Sequence, residues 1–305
     1  MTTIEAVNVA KTFKLRPNGK ARGGSSEDFT VLEGVNLSIN DGEFLVILGP
    51  SGCGKSTFLE LLSGLSKPNS GTILIDGKPI QGPGLDRGVV FQQYALFPWK
   101  TALGNVEFGL EAQKIDANKR EEIAKKYLSL VGLTGFGDRY PYELSGGMKQ
   151  RVAIARALAI NPEILLMDEP FAALDAQTRE LLQIDLLRIR DETKKTIVFI
   201  THSIDEAVFL ADRVAVMTAR PGHIKQIVDI PVTREKRFAD DVKSDPGLVH
   251  ARQLIWDLLK EEVIKSQEVC SRCSVDDCSL TSVKNKETLI TPLSSVTAPI
   301  EARTK

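Results

Sequence analysis

Apolar positions along this chain follow two periods, and the two are segregated. Ile4 to Val9 alternate in the manner of a strand, and the pattern continues to Phe13. Val31 to Ile39 and Glu43 to Gly49 are further strand-like runs, and Asn40-Asp41-Gly42 between them predicts a hairpin turn. Residues 14–30 collapse into Pro, Gly, Ser and charge, which predicts a solvated loop. Short strands are expected at Thr72 to Asp76, Arg87 to Phe91, Val214 to Met217 and Lys225 to Ile230. Ile164 to Met167 and Thr196 to Ile200 are unbroken apolar runs, as expected of strands covered on both faces.

Helical spacing takes over elsewhere. Ser56 to Gly64 reads as a helix burying Leu59 and Leu62, with Gly64 as its end. Residues 103–160 hold helix-period segments (Ile123, Tyr127, Leu128, Val131; then Val152, Ala155, Leu158) and no convincing strand. Gln177 to Thr193 is helical with Leu181, Ile184 and Leu187 in its apolar stripe, and Leu248 to Ile264 is an amphipathic helix. Residues 266–305 carry no periodicity, and a disordered tail is expected. The fold class is α/β: a sheet domain, a helical insertion near 95–160 and a short C-terminal extension.

Composition narrows the function classes. Of 305 residues 42% are hydrophobic and 26% charged, ordinary for a globular chain. Thirty-nine Lys and Arg against forty Asp and Glu leave a net charge of −1, so no basic field exists to hold a polyanion and nucleic acid is not an expected partner. No apolar run is long enough to span a bilayer, and the first residues carry neither a basic cluster nor an apolar stretch of signal-peptide type. Four cysteines do not make a disulfide scaffold in a chain this long. Cys270, Cys273 and Cys278 have C-x2-C-x4-C spacing but no adjacent fourth ligand, so a thiol-bearing tail is expected rather than a metal site.

The chemistry begins at Gly49-Pro50-Ser51-Gly52-Cys53-Gly54-Lys55-Ser56-Thr57, which satisfies G-x-x-x-x-G-K-[ST] between a strand and a helix, the context of a P-loop. Glycines let successive backbone N–H groups turn inward around phosphate oxygens, and the following helix presents its positive end to the same anion. Lys55 supplies a charge for the β- and γ-phosphates, and the Ser56 hydroxyl is a hard ligand for Mg2+. About 110 positions on, the buried strand Ile164 to Met167 ends in Asp168-Glu169-Pro170. Asp168 is expected beside the loop, holding Mg2+ through water, with Glu169 accepting a proton from the water that attacks the γ-phosphate. His202 follows the strand Ile197 to Thr201 at the edge where α/β proteins bind ligands, a candidate γ-phosphate contact. Gln92, after the Arg87 to Phe91 strand, is a candidate to orient water or metal.

Leu144-Ser145-Gly146-Gly147-Met148-Lys149-Gln150-Arg151 resembles the signature motif of ABC ATPases. Together with the P-loop, Gln92, Asp168-Glu169, Leu174-Asp175 and His202 it repeats that family's motifs in order over roughly residues 3–235. The resemblance implies a P-loop ABC ATPase fold: a mixed-sheet core, an antiparallel β subdomain and an α-helical subdomain. It implies a nucleotide-binding domain over residues 1–235, with the helical subdomain at about 95–160, a helical extension at 236–265 and a Cys-containing tail at 266–305. Ser145-Gly146-Gly147 opens a helix and is a second anion-binding nest on a chain with one P-loop, which suggests a second copy. By resemblance, two subunits pack head to tail, Ser145 and Gly147 contact the other subunit's γ-phosphate, Asp175 lies on the dimer seam and Phe13 stacks on adenine.

Phe97-Pro98-Trp99, Met148 in place of the commoner Gln, residues 204–213 and Ala219-Arg220-Pro221-Gly222 resemble importer ATPases for nitrate, sulfonate, taurine and bicarbonate. Ser203 departs from the Asp usual after the histidine, and the loop at 14–30 is long for the family. The resemblance implies an ATPase that uses ATP and Mg2+ at the cytoplasmic face of the inner membrane, as a homodimer or heterodimer working with permease subunits and a solute-binding protein. An aromatic surface starting near Phe97 would cradle a permease helix. The alternatives are an importer of another small solute such as a thiamine precursor, or a non-transport ABC ATPase. DNA-maintenance machines would need a long coiled coil between the motifs, and translation factors two tandem cassettes. A regulator that holds ATP without turnover is disfavoured by the presence of both Glu169 and His202.

Overall fold

Five consecutive side chains, Phe44 to Leu48, are wholly buried, so strand β3 (Phe44–Leu48) must be covered on both faces. It lies between two parallel neighbours, β8 (Thr196–Thr201) and β9 (Arg213–Met217), with Leu48 opposite Thr201 and Val216. The sheet continues from β8 to the parallel strands β7 (Ile164–Asp168) and β6 (Arg87–Val90), and is closed beyond β9 by antiparallel β10 (Ile224–Asp229). The structure, a computed structural model, describes residues 2–15, 27–239 and 241–272.

Alternation along β3 divides the core in two. Phe44, Val46 and Leu48 face one cluster, which includes side chains of α4 (Gly146–Ala159), α5 (Ala176–Thr193), α6 (Ile204–Leu210) and α7 (Pro246–Arg272). Leu45 and Ile47 face the other, with α1 (Lys55–Ser63) and the second sheet. That sheet is antiparallel, in the order β2 (Glu27–Ile39), β1 (Ile4–Leu15), β4 (Ser70–Ile75), β5 (Lys78–Pro79). Helices α2 (Ala102–Ala112) and α3 (Ala117–Leu130) pack with α4, and no strand interrupts residues 95–160, as expected from the sequence.

Four expectations need correction. Asn40 to Gly42 does form a turn, with Gly42 at φ 66, but β2 and β3 belong to different sheets and make no hairpin. The reason lies in burial: β2 alternates buried and exposed positions and pairs on an antiparallel sheet, while β3 has no exposed side. The predicted loop at 14–30 is shorter than expected, because Lys14–Leu15 and Glu27–Thr30 pair as the ends of β1 and β2; residues 16–26 lie outside the described residues. On α5 Leu187 is buried and Ile184 half-buried as expected, but Leu181 is exposed and Leu182, with Leu186 and Ile189, takes its place in the buried stripe. Helix α7 extends past Ile264 to Arg272, taking Cys270 into helical backbone. The rest of the expected tail, with Cys273 and Cys278, lies outside the described residues. No described helix is long and apolar enough to cross a membrane.

Two buried charge clusters fasten the segments that follow β9. The Arg237 guanidinium is 2% exposed and donates to the carbonyls of Phe209, Leu210 and Ala211 at the end of α6. Burial pulls its pKa down to about 10, against the opposing charge of Asp212, which also pairs with Arg190 and Arg234. The second cluster centres on Glu262 of α7, which accepts from Lys225 Nζ at 2.9 Å and Lys265 Nζ at 2.8 Å.

Candidate functional site

Parallel strands all finish at one sheet edge, so whatever follows β3, β7 and β8 is gathered there. After β3 comes the loop 49–54 and then α1; after β7, Glu169; after β8, His202. The three chemical stretches, far apart in sequence, thus meet because β7, β8 and β3 are consecutive in the sheet.

The loop is shaped by Gly54, at φ 103, where a Cβ would come within 2.6 Å of Leu32 Cδ2 and strain the backbone as well. Lys55 is 6% exposed, and its ammonium donates to the carbonyls of Gly49 at 2.9 Å and Pro50 at 3.0 Å. Two of its three N–H bonds are thereby fixed to the loop, leaving one to project. Cys53 is buried, and burial pushes its thiol pKa up, which keeps it protonated and inert while its backbone shapes the turn. Ser51 and Gly52 are exposed at the loop's crest, and Thr57 is half-buried on the first turn of α1.

Ser56 Oγ donates to Asp168 Oδ1 at 3.1 Å, which joins the start of α1 to the end of β7. Burial raises the Asp168 pKa, the Ser56 hydrogen bond and the Lys55 charge oppose the rise, and the neighbouring Glu169 charge adds to it. Next to it, Glu169 takes a left-handed backbone, φ 42, with its N–H on the carbonyl of Ile200 in β8 at 3.0 Å. That backbone turns the carboxylate away from Asp168 and toward His202, whose Nδ1 is 3.1 Å from Glu169 Oε2. Ser203, the departure from the usual Asp, caps α6 by accepting from the N–H of Glu206 at 3.3 Å. Serine does the capping work of aspartate here, so His202 stays anchored between β8 and α6.

Gln92 follows β6 and is exposed; among the described residues it has no hydrogen bond to Ser56, Asp168 or Glu169. Just beyond it, Arg156 of α4 donates to the carbonyls of Ala95 at 2.6 Å and Tyr94 at 3.1 Å. Phe13 on β1 is 41% exposed beneath the Lys11 ammonium, 5.2 Å from the ring centroid, and pairs in register with Phe29 of β2. Phe29 in turn stacks under the Arg220 guanidinium, 4.0 Å above its ring.

The signature residues form a second, separate group. Ser145 caps α4 by accepting from Met148 N–H at 3.3 Å, and among the described residues the N–H groups of Gly146 and Gly147 ahead of it have no acceptor. A Cβ on Gly147 would come within 2.5 Å of Thr178 Cγ2, and one on Gly146 within 3.4 Å of Leu174 Cδ2. Asp175 caps α5, accepting from Thr178 N–H at 3.0 Å, with its carboxyl pKa lowered by that bond. Ser145, Gly146, Gly147 and Asp175 therefore sit together, and among the described residues no hydrogen bond links them to Lys55, Ser56, Asp168 or Glu169. Sequence reasoning picked out Ala219-Arg220-Pro221-Gly222 only as a resemblance and missed that this turn packs behind the loop, and it missed the buried partner Glu262; an isolated Glu on an amphipathic helix reads as a solvated residue.

Aromatic side chains gather on the helical region. Trp99 is 71% exposed, and the Trp99 and Phe108 rings lie 5.5 Å and 4.5 Å, centroid to centroid, from the Phe97 ring. The stacked pair Tyr140 and Tyr142 lies nearby in the chain path, since Ala102 N–H bonds to the carbonyl of Arg139. Trp99, Phe108, Tyr140 and Tyr142 face solvent, whereas Phe97 is half-buried beneath its aromatic neighbours.

Known proteins match these features. The sequence pattern of the ABC transporter family covers residues 32–172. An uncharacterised ABC transporter ATP-binding protein of Methanocaldococcus jannaschii is 57% identical over 263 residues, spanning 86% of this chain and 93% of that protein. A bicarbonate transport ATP-binding protein of Synechocystis sp. is 52% identical, spanning 84% and 88% of the two chains. A nitrate import ATP-binding protein of Synechococcus elongatus is 49% identical, spanning 76% and 85%. A solved dimeric ATP-binding cassette, bound to ADP and Pi after hydrolysis, superposes with a TM-score of 0.65 at 36% identity, covering 75% of this chain and all of that one. Likeness of this extent, to sequences and to a cassette alike, settles the lineage, and the chain belongs to the ABC transporter family as one of its ATPases.

Proposed function

We propose that the chain is the ATP-binding and ATP-hydrolysing subunit of an importer that takes up a small anion, in the class of bicarbonate, nitrate or taurine, through separate permease subunits fed by a solute-binding protein. The observation that carries this reading is the meeting of Lys55, Ser56, Asp168, Glu169 and His202 at one sheet edge. Residues 1–235 are the nucleotide-binding domain, with its helical subdomain at about 95–160, and 236–265 a helical extension.

In this reading the amides of residues 49–57 and the third N–H of Lys55 hold the phosphates, and Phe13 stacks on adenine. The Ser56 hydroxyl and the Asp168 carboxylate, 3.1 Å apart, are hard oxygen donors that fit Mg2+, with Gln92 as the third candidate. Bound there, the ion would neutralise charge on the phosphates. Glu169 accepts the proton of the attacking water, and His202, hydrogen-bonded to it, contacts the γ-phosphate.

The nest at Ser145-Gly146-Gly147 completes the site of a second cassette, identical or not, in a head-to-tail dimer, with Asp175 on the seam. What supports this is its grouping with Leu174 to Thr178 rather than with Lys55. The surface formed by exposed Trp99 and Phe108 around half-buried Phe97 receives the permease at the cytoplasmic face of the inner membrane.

Relatives of nearly equal identity carry names for different anions, as expected if selectivity resides in the permease and binding protein. The test is reconstitution of the chain with its co-purifying membrane subunits and binding protein in liposomes, with ATP-driven uptake of labelled bicarbonate, nitrate and taurine compared. Uptake of one of them is expected. ATP hydrolysis without uptake of any would overturn the anion assignment, and absence of ATP hydrolysis would overturn the site.

A further inference from the structure

The loop between β9 and β10 is pinned from both sides. On one side Gly222 N–H donates to the carbonyl of Val31 at 2.8 Å and its own carbonyl accepts from Glu33 N–H at 3.1 Å, a bridge onto β2. The same glycine lies flat against the phosphate loop: a Cβ there would overlap the carbonyl oxygen of Cys53 and approach Met217 Cε at 2.9 Å. Within the turn, Thr218 Oγ1 accepts from His223 N–H at 3.1 Å.

On the other side the turn is held by the C-terminal helix. Ala219 N–H donates to Glu262 Oε2 at 3.0 Å. Glu262 is 1% exposed, and its other oxygen takes Lys225 and Lys265. Lys225 is itself fixed to α7 by the Leu258 carbonyl at 3.1 Å and Glu261 at 2.6 Å. A continuous set of contacts therefore runs from α7 through Glu262, Ala219 and Gly222 to the Cys53 carbonyl and β2.

We infer that Glu262 is a positioning residue for nucleotide binding: through Ala219 it presses the 218–223 turn against the phosphate loop, so that the C-terminal helix braces that loop in its binding shape. The inference rests on the reading of residues 49–57 as the phosphate site. A phosphate loop binds through amides that must all converge at once, so backing that limits its excursions lowers the ordering cost of binding. The same turn carries Arg220, which stacks on Phe29 beside Phe13, so the brace reaches the proposed adenine side of the site as well.

The test uses the full chain with Glu262→Ala, and Glu262→Asp as a second variant that keeps the charge but draws the carboxylate back by one methylene. Binding of the fluorescent N-methylanthraniloyl derivative of ATP, steady-state ATP hydrolysis and amide hydrogen exchange are compared with the unaltered protein. In Glu262→Ala, Kd and KM rise together by roughly tenfold, the equivalent of one charge-assisted hydrogen bond, while kcat stays within about twofold. Exchange quickens at residues 49–56 and 219–222, and Glu262→Asp falls between. A merely structural role would lower the melting temperature and leave Kd and phosphate-loop exchange in the folded protein as they were; that result, in Glu262→Ala or, if it does not fold, in Glu262→Asp, overturns the inference. Lys55→Ala is measured in parallel: nucleotide affinity unaffected by that change would instead locate the failure in the phosphate-site reading.

Discussion

Glu169 Oε2 and His202 Nδ1 stand 3.1 Å apart across the ends of two adjacent strands, β7 and β8. The left-handed backbone at Glu169, φ 42, is a conformation that non-glycine residues adopt at a cost, and here it aims the carboxylate at the histidine. Replacing Glu169 with Gln keeps shape and hydrogen bonding but removes the proposed base. Turnover is expected to fall by about 10²–10⁴-fold with ATP affinity retained, and an ATP-bound dimer to accumulate. Hydrolysis assays paired with light scattering check both halves; a variant that remains monomeric in saturating ATP would count against the head-to-tail dimer.

Lys55 makes a different kind of contribution. Its ammonium is tied to the carbonyls of Gly49 and Pro50, so it holds the loop in addition to its proposed contact with phosphate. Lys55→Ala is therefore expected to lose both binding and turnover, with hydrolysis down by about 10²-fold or more. Substantial turnover in that variant, measured by phosphate release, would show that the nucleotide sits elsewhere.

How much of this was legible in the sequence depends on whether the signal was local. The convergence of residues 49–57, Asp168-Glu169 and His202 could be read because each is a short chemical pattern at the end of an apolar run, and parallel strands finish at one edge. Strand partners were less legible. Asn40-Asp41-Gly42 reads as a hairpin from its residues, yet β2 and β3 join different sheets, since turn chemistry says nothing about which partner each strand's burial demands. Leu181 and Leu182 were exchanged on α5 because adjacent leucines fit a 3.6-residue stripe almost equally well. Arg237 and Glu262, both buried, were invisible, because a charged residue looks solvated until its distant partners are known.

The aromatic surface makes a prediction that separates hydrolysis from coupling. Trp99 is 71% exposed and lies outside the site formed by Lys55, Asp168 and Glu169. Large apolar side chains at the centre of an interface often dominate its binding energy. Trp99→Ala is expected to leave ATP hydrolysis by the isolated chain within about twofold and to weaken permease association by about 2 kcal/mol. Co-purification and liposome uptake measure the second effect. Equal uptake by the variant and the unaltered protein would place the permease on another face.

Glu262 also predicts a pH dependence with a definite sign. Burial by itself would raise its pKa, but the hydrogen bonds from Lys265, Lys225 and the Ala219 amide outweigh burial and hold it at about 2, against an ordinary value of 4.5. A folded-state pKa below the unfolded one means that the unfolded chain takes up the proton first. The stabilisation, of the order of 3 kcal/mol, is fully present above pH 4.5 and is lost as the pH falls toward 2. The stability gap between the unaltered protein and Glu262→Ala, from urea unfolding, should therefore narrow by about 1.4 kcal/mol between pH 6 and pH 3.5. A gap of the same size at both would mean that the ionised carboxylate is not what holds α7 to the turn, since apolar packing alone carries no such dependence on pH.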